Sequence, residues 1–358
     1  MRRILALMDT PSEKKNVAVV GAGAWGTALA AHAARLGHRV RLWAHEPDVA
    51  ETIRTTRENK LYLPGVALPP ELSATSSPAE ALEGAELVIL VPPSAFLRSV
   101  CKTIRAHVPA AAPIVIATKG IEESTFELMS AVAAAALGRS EDEMVTLSGP
   151  SFAKEVARGL PTDVVVASKD AAVLDVVQRA LHSPMFRVYS SADPVGVQVG
   201  GAVKNVLAIA AGACDGLDMG MNARAALITR GLGEMARLGV AMGGNPLTFL
   251  GMGGVGDLIL TATGGLSRNR TLGMKVAEGL DPKAYLASQR SVAEGYGTAK
   301  AAFELARSRG VDMPITEQVY HVLHEGRPLL EALKLLLTRP HKEELWGFSD
   351  GTAPGAPK

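Results

Sequence analysis

The stretch "NVAVVGAGAWGTALAAHAARLGHRVRLWA", residues 16–44, decides the fold. A valine-rich apolar run leads into glycines at Gly21, Gly23 and Gly26, and a helical pattern and a second apolar run follow. Gly-x-Gly-x-x-Gly between a strand and a helix is typical of a dinucleotide-binding βαβ unit. The first glycine allows the tight turn, the second lets a pyrophosphate approach the backbone, and the third lets the helix pack closely on the strand. We therefore expect NAD or NADP at this loop.

The pattern of short apolar runs separated by helical segments continues to about residue 190. Further strands are expected at "AELVILVP", "APIVIATKG", "EMVTLSGP" and "TDVVVAS". Continuous apolar strands alternating with helices predict an α/β, Rossmann-type doubly wound parallel sheet. The rest of the chain has a helical period and predicts an all-helical C-terminal domain. The expected division is a flexible N-terminal extension, a Rossmann domain, a helical substrate-binding domain and a flexible tail, at residues 1–15, 16–193, 194–342 and 343–358.

Composition excludes several classes of function. The apolar fraction of 47% can fill a core, and a formal charge of +1 gives no electrostatic footprint for nucleic acid. Cys101 and Cys214 fit no zinc spacing and no disulfide framework, and the eight histidines are scattered, so no metal site is expected. No uninterrupted apolar run approaches the roughly 18 residues of a membrane span. We expect a cytoplasmic protein.

The end of the second strand bears on the choice between NAD and NADP. An acidic residue there would hold the ribose hydroxyls of NAD. Ala44 and His45 occupy the position instead, and Glu46 lies just beyond. His45 could accept the 2′-phosphate of NADP, or it could lie near the adenine without that role, so the preference stays open.

A lone lysine marks the helical half. Lys204 is the only charged residue between Asp193 and Asp215, and Asp257 is similarly isolated in "GVGDLILT". Because a buried unpaired charge is costly, the two are predicted to pair. The pair would keep the Lys204 ammonium oriented to give a proton to a carbonyl oxygen. The alternative is a lysine that reaches solvent from its helix, which the apolar surroundings disfavour.

Three more residues fit a binding site for a small anion. Lys119 follows a strand in "IATKG", at the sheet edge where such folds bind ligands. Ser151 in "SGPSFAKE" is expected at a helix N-cap, and Arg268 in "SRNR" has a planar fork that suits phosphate. Surface solvation for Lys119, simple capping for Ser151 and a surface position for Arg268 are the alternatives. With the dinucleotide loop, the set predicts hydride transfer between a carbonyl and an alcohol on a small anionic substrate.

The motifs resemble the NAD(P)-dependent glycerol-3-phosphate dehydrogenase family. The matching stretches run in order from about residue 16 to 340 and include "GAGAWGTALA", "ATKGIE", "SGPSFAKEV", "VGGAVKNVLAIAAG", "NARAALITRGLGEM", "GVGDLILT", "SRNR" and "VAEGYGTAK". The resemblance implies reduction of dihydroxyacetone phosphate to sn-glycerol 3-phosphate with NADH or NADPH, with Lys204 as proton donor in reduction and acceptor in oxidation. It also implies a homodimer and a product that feeds glycerophospholipid synthesis.

The resemblance also implies site residues. The catalytic residues would be Lys204, Asp257 and Lys119. The substrate would contact Lys119, Gly149, Ser151, Lys204, Asn205, Asp257, Ser267, Arg268 and Asn269. Beyond the three glycines, the cofactor would contact Ala24, Trp25, His45, Lys119, Ala153, Arg268, Val292 and Glu294.

One departure and two alternatives accompany this interpretation. The family reads Val-Pro-Ser and a polar residue after the fourth strand, whereas this chain has "VPPSAF", so Pro93 removes a backbone donor and a hydroxyl. A related dehydrogenase of hydroxy or keto acids is one alternative, against which "SRNR" after "GVGD" favours a phosphate. A non-catalytic NAD(P) sensor is the other, and it would not need Lys204 and Asp257 together.

Overall fold

The structure, a computed structural model, describes residues 13–289 and 292–344. The chain divides into two compact units. The first contains the chain up to residue 118 together with 129–194, and the second contains 119–128 together with the chain from 195 onward. Most of the expected N-terminal extension (residues 1–12) and most of the expected tail (residues 345–358) lie outside the described residues.

One eight-stranded sheet forms the first unit, in the order β3-β2-β1-β4-β5-β6-β7-β8. The chain runs outward from β1 to β2 and β3, then returns to β4 on the other side of β1, so the strand order reverses between β1 and β4. Folds of this kind bind ligands outside the carboxyl ends of the strands at such a reversal. The strands are β1 (Asn16–Val20), β2 (Arg39–Trp43), β3 (Leu72–Thr75), β4 (Leu87–Leu90), β5 (Ile114–Ile116), β6 (Met144–Ser148), β7 (Thr162–Ala167) and β8 (Phe186–Ser191).

Helices cover both faces of this sheet. Alternate residues of β1 enter two different apolar cores, with Val17 and Val19 on one face and Ala18 and Val20 on the other. All four residues of β4 are buried, which explains its continuous apolar sequence. The helices of the first unit are α1 (Ala24–Arg35), α2 (Pro47–Thr56), α3 (Pro78–Leu82), α4 (Leu97–Ile104), α5 (Met129–Leu137), α6 (Ala153–Ala157) and α7 (Ala171–Leu181).

The predicted Rossmann-type fold is confirmed, with one correction to the parallel sheet. β7 runs antiparallel to β6, with Leu147 opposite Val166, whereas the other neighbouring strands pair in parallel. The connection between β6 and β7 contains only the five-residue helix α6. A helix of the same length, α3, lies between the parallel strands β3 and β4, so the length of α6 does not by itself explain the reversed direction of β7.

The second unit is helical, as predicted, and its longest helix is α8 (Pro194–Gly216), with Val199, Val203 and Leu207 buried in the core. By length and composition alone, α8 could cross a membrane, but 94% of its apolar window is buried inside the protein. A core helix passes the same test, so α8 is weak evidence for a span. The other helices are α9 (Gly220–Ala241), α10 (Asp257–Thr263), α11 (Arg268–Ala277), α12 (Pro282–Ala287), α13 (Gly295–Ser308), α14 (Pro314–His324) and α15 (Leu329–Leu337).

Candidate active site

The loop between β1 and α1 needs glycine at two of its positions. Gly21 has a φ of +114°, and a Cβ there would lie 2.9 Å from the carbonyl carbon of Val91. A Cβ on Gly26 would lie 1.9 Å from the carbonyl oxygen of Gly21. Beside Gly23, by contrast, a Cβ would meet no atom within 4 Å. The loop is therefore tight against the sheet on one side and open at Gly23, which matches the roles predicted for the three glycines.

The N-terminus of α1 presents donors to this open side. Gly23 is the N-cap, has extended backbone, and supplies no side-chain acceptor to the first turn, where Ala24 and Trp25 lie. The indole Nε1 of Trp25 is buried and has no hydrogen-bond partner within the part of the chain that the structure describes. Free N–H groups and the helix dipole attract phosphate. A buried donor such as the indole N–H of Trp25 is usually hydrogen-bonded, so a ligand atom can supply the acceptor. These residues therefore fit a dinucleotide.

The end of β2 carries both a histidine and a carboxylate. His45 is exposed, and its ring centroid lies 5.9 Å from that of Trp43 in an edge-on arrangement. Glu46 is the N-cap of α2, and its Oε1 accepts a hydrogen bond of 3.0 Å from the hydroxyl of Tyr62. An acidic residue, which NAD would favour at the end of β2, is therefore present three residues after the strand, and Tyr62 holds one of its carboxylate oxygens. The contact with Tyr62 was not predicted.

The loop after β6 contains Gly149, Ser151 and Ala153. The prediction that Ser151 is a helix N-cap is wrong. Phe152 is the N-cap of α6, and Ala153 is the first helical residue. The Ser151 hydroxyl instead donates to the Gly149 carbonyl at 2.9 Å. Gly149 has a φ of +128°, which favours glycine, and the serine bonds back to this residue of the loop instead of to the first turn of the helix.

In the second unit, two lysines hold one carboxylate. Lys204 lies in the middle of α8, Asp257 begins α10, and Lys119 comes from the segment 119–128. Lys204 Nζ donates to Oδ1 of Asp257, and Lys119 Nζ donates to Oδ2 at 2.6 Å. Lys204 is 6% exposed and Asp257 is 1% exposed. The predicted pairing of Lys204 with Asp257 is confirmed, and the second ammonium group is an addition that sequence reasoning missed.

Thr261 completes this group, which we call the lysine–carboxylate cluster (Lys119, Lys204, Asp257 and Thr261). Lys204 Nζ also donates to Thr261 Oγ1 at 3.0 Å, and that hydroxyl lies 2.7 Å from the Asp257 carbonyl oxygen, to which it donates. Thr261 was not predicted. A signal existed, because it is four residues after Asp257 in a helical sequence and therefore lies on the same helix face.

The charges of the cluster are set by burial and by one another. Burial lowers the pKa of the Lys204 ammonium to about 7; the Asp257 carboxylate opposes this shift and the charge of Lys119 adds to it. Burial would raise the pKa of Asp257, but the two ammonium groups together outweigh it and hold that pKa below its usual value. The carboxylate therefore stays charged, while Lys204 can exchange a proton near neutral pH.

A second polar group joins α8 to the start of α11. The Asn269 amide donates to Asn205 Oδ1 at 2.9 Å, and Asn269 Oδ1 accepts from the backbone N–H of Gly295 at 3.0 Å. Ser267 is the N-cap of α11. The side chain of Arg268 is exposed and makes no hydrogen bond or ion pair to any described residue. We call residues 267–269 the SRN turn; it presents one free guanidinium beside two fixed polar side chains.

The remaining predicted residues lie before α13. Val292 is 45% exposed, and Glu294 is the N-cap of α13, one residue before the Gly295 amide that Asn269 accepts from. Glu294 therefore adjoins the residue whose backbone bonds to Asn269 of the SRN turn.

Family models match both parts of the chain. Residues 16–174 match the NAD-dependent glycerol-3-phosphate dehydrogenase N-terminus, and residues 193–334 match the C-terminus of the same family. The chain belongs to the NAD-dependent glycerol-3-phosphate dehydrogenase family. The Rossmann fingerprint and the lysine–carboxylate cluster are thus features of a member of this family.

Individual relatives agree. The chain is 51% identical over 333 residues to a glycerol-3-phosphate dehydrogenase (NAD(P)+) of Geobacter sulfurreducens, covering 93% of this chain and 99% of the relative. A protein of the same name from Symbiobacterium thermophilum is 50% identical, covering 92% and 96%. The crystal structure of glycerol-3-phosphate dehydrogenase from Coxiella burnetii is 40% identical, with a TM-score of 0.86, covering 91% and 99%. A ketopantoate reductase of Ralstonia eutropha, at 18% identity and a TM-score of 0.55, shares the fold alone.

Proposed function

We propose that this protein catalyses the reversible NAD(P)H-dependent reduction of dihydroxyacetone phosphate to sn-glycerol 3-phosphate, which feeds glycerophospholipid synthesis. It is an NAD(P)-dependent oxidoreductase. One observation carries the assignment of mechanism: a buried lysine with a pKa near 7 is paired to a charged carboxylate, in a chain of this family. Such a lysine can donate and recover a proton under ordinary conditions.

The residues of the first unit hold the cofactor in this proposal. Gly21, Gly23 and Gly26 shape the loop. The N-terminus of α1, with Ala24 and Trp25, binds the pyrophosphate and the adjoining groups of the cofactor. His45 lies on the adenosine side. The bound dinucleotide supplies the hydride. The same proposal assigns Lys119, Ala153, Arg268, Val292 and Glu294 to the cofactor.

Lys204 moves the proton. In reduction its ammonium donates to the substrate oxygen, and in oxidation the neutral amine accepts the hydroxyl proton. Asp257 and Thr261 fix the position of Nζ through two hydrogen bonds, so Lys204 keeps one orientation in both protonation states. The charge of Lys119 favours an electron-rich oxygen nearby and eases the loss of the proton from Lys204.

The SRN turn binds the phosphate in this proposal. Arg268 has no competing partner among the described residues, and a guanidinium can bind phosphate through two parallel hydrogen bonds. Ser267 and Asn269 add polar groups, and the Asn205–Asn269 contact orients the latter. The proposal also assigns Gly149 and Ser151 to the substrate.

The test follows loss of nicotinamide absorbance with dihydroxyacetone phosphate, using NADH and NADPH in parallel. Wild type should turn over, and Lys204→Ala should lose at least about a hundredfold in kcat while its affinity for the dinucleotide is retained. Keto acids are offered with the reduced cofactors, and hydroxy acids with NAD+ or NADP+, as the alternative substrates. A folded wild type that binds dinucleotide without turning over dihydroxyacetone phosphate would overturn the assignment.

Three finer points belong to the same proposal. We place the protein in the cytoplasm, expect a homodimer, and divide the work between a Rossmann domain at 16–193 and a helical substrate-binding domain at 194–342. Light scattering coupled to size exclusion would measure the mass, and a monomer would contradict the dimer. Cell fractionation would test the location.

A further inference from the structure

A shared carboxylate lies at the end of α8. Asp215, in the last turn of this helix, accepts from Arg270 Nε at 2.7 Å through Oδ2 and from Arg224 Nη1 at 3.0 Å through Oδ1. The three side chains are between 15% and 19% exposed. One carboxylate therefore joins three helices, α8, α9 and α11, in a partly desolvated place where charged hydrogen bonds are strong.

Arg270 directly follows the SRN turn. Its backbone N–H donates to Ser267 Oγ at 3.2 Å, which is the N-cap bond of α11. The backbone of Arg270 thus closes the turn while its side chain anchors the turn to Asp215. Any movement of Arg270 moves the residues that flank Arg268.

The helices α8 and α11 meet backbone to backbone at this place. A Cβ on Gly212 would lie 1.9 Å from the carbonyl oxygen of Arg270, and a Cβ on Gly273 would lie 1.9 Å from that of Ile209. These glycines allow the two helices to approach closely at this point. Two polar bonds, Asn205–Asn269 and Asp215–Arg270, join the two helices beside this contact, and Leu272 of α11 is buried in the same apolar cluster as Val206 and Ile209 of α8.

We propose that Asp215 is a positioning residue, which holds Arg270 and through it the SRN turn in the orientation that binds the substrate phosphate. This rests on the proposed function. Asp215 itself makes no contact with the lysine–carboxylate cluster, and it lies eleven residues, about 16 Å of helix, beyond Lys204. Its loss should therefore weaken phosphate binding and leave proton transfer intact.

The experiment compares two substrates, dihydroxyacetone phosphate and dihydroxyacetone, which lacks the phosphate. In Asp215→Asn the KM for dihydroxyacetone phosphate should rise about tenfold while kcat changes less than about threefold. Turnover of dihydroxyacetone at high concentration should change less than about twofold. Asp215→Glu, which keeps the charge, should restore most of the KM.

Two further variants test whether Asp215 acts on phosphate binding through Arg270 or through Arg224. Arg224→Met removes the other partner of the same carboxylate and should leave the KM within about twofold of wild type. Arg270→Met should raise the KM for dihydroxyacetone phosphate as Asp215→Asn does. The double variant of Asp215→Asn and Arg270→Met should have a KM no higher than that of either single variant, because both substitutions break the same contact. Far-UV circular dichroism and the thermal midpoint check that each variant is folded.

The outcomes separate the inference from the proposed function. Equal losses with both substrates, or an effect of Arg224→Met as large as that of Asp215→Asn, would mean general damage to the helical unit and would overturn the inference. An unchanged KM in Asp215→Asn, with an active wild type, would overturn the inference alone. A wild type that does not reduce dihydroxyacetone phosphate would overturn the proposed function, and the inference with it.

Discussion

Lys204 donates a hydrogen bond to Oδ1 of the buried Asp257, and burial brings the pKa of its ammonium group to about 7. Reduction requires the protonated lysine and oxidation the neutral one. We therefore expect kcat/KM for reduction of dihydroxyacetone phosphate to fall as the pH rises through about 7, and kcat/KM for oxidation of glycerol 3-phosphate to rise. Because kcat/KM reports the free enzyme, its pH profile is the relevant measurement.

The residual activity of Asp257→Asn provides the control. The carboxylate raises the pKa of Lys204, so its removal should move the falling limb of the reduction profile to lower pH. A limb that stays in place, or moves to higher pH, would show that another group titrates.

Asp257 also separates two positive charges. Asp257→Ala would remove the carboxylate that both Lys119 and Lys204 contact. The two ammonium groups would stay close together, on side chains that are only 13% and 8% exposed. Loss of one partner from a buried pair costs about 3–5 kcal/mol in the free energy of unfolding. Urea unfolding should show a loss of this order, and Asp257→Ala combined with Lys204→Met should recover part of it. A loss below about 1 kcal/mol would contradict the importance of the pairing.

Glu46 should oppose the 2′-phosphate of NADP. Tyr62 holds one of its carboxylate oxygens, and the other makes no bond to a described residue and can accept from a ribose hydroxyl. Glu46→Gln should therefore lower the Kd for NADPH relative to that for NADH by about tenfold, because a like-charge contact is removed. Fluorescence titration of the reduced cofactors measures both constants without turnover.

The matched control is Glu51→Gln, which makes the same change of charge on the same helix α2. Glu51 is exposed and pairs with Arg54 at 2.7 Å. It should leave the ratio of the two constants unchanged. An equal effect of both variants would indicate a general charge effect, and no effect of Glu46→Gln would exclude this residue from the choice of cofactor.

Interior strands could be predicted from sequence because burial on both faces makes them continuously apolar. The two strands that were missed, β3 and β8, are the two edges of the sheet. In β8, Phe186 and Val188 are buried while Arg187 and Tyr189 are exposed, so no apolar run marks it. The reversed direction of β7 could not be predicted, because its apolar sequence does not differ from that of the parallel interior strands.

In the candidate site, too, some contacts could be predicted from the sequence and others could not. The pairing of Lys204 with Asp257 could be predicted because each is a lone charge in an apolar setting. Lys119 meets the same carboxylate from 138 residues away, and its sequence surroundings give no sign of this. The two arginine partners of Asp215 likewise depend on how α8, α9 and α11 pack, which no local pattern encodes. Local chemistry identified the residues; tertiary packing decided their partners.

His32 should make the stability of the first unit depend on pH. It is buried on α1, and its neutral ring donates from Nε2 to the Leu181 carbonyl at 2.7 Å. Burial lowers its pKa from 6.5 to about 4, so between these values the unfolded chain binds a proton that the folded chain does not. Its contribution to the free energy of unfolding is therefore complete above pH 6.5 and falls by roughly 3 kcal/mol as the pH drops toward about 4.

The test is His32→Gln, whose side-chain amide can donate to the same carbonyl without titrating. Between about pH 7.5 and about pH 5, the urea midpoint should fall less in this variant than in wild type, because one proton-linked site is gone. The exposed His45→Gln serves as control and should retain the wild-type dependence. If His32→Gln loses as much stability on acidification as wild type does, the acid sensitivity lies elsewhere. If both variants lose less, the effect belongs to exposed charge and not to the buried ring.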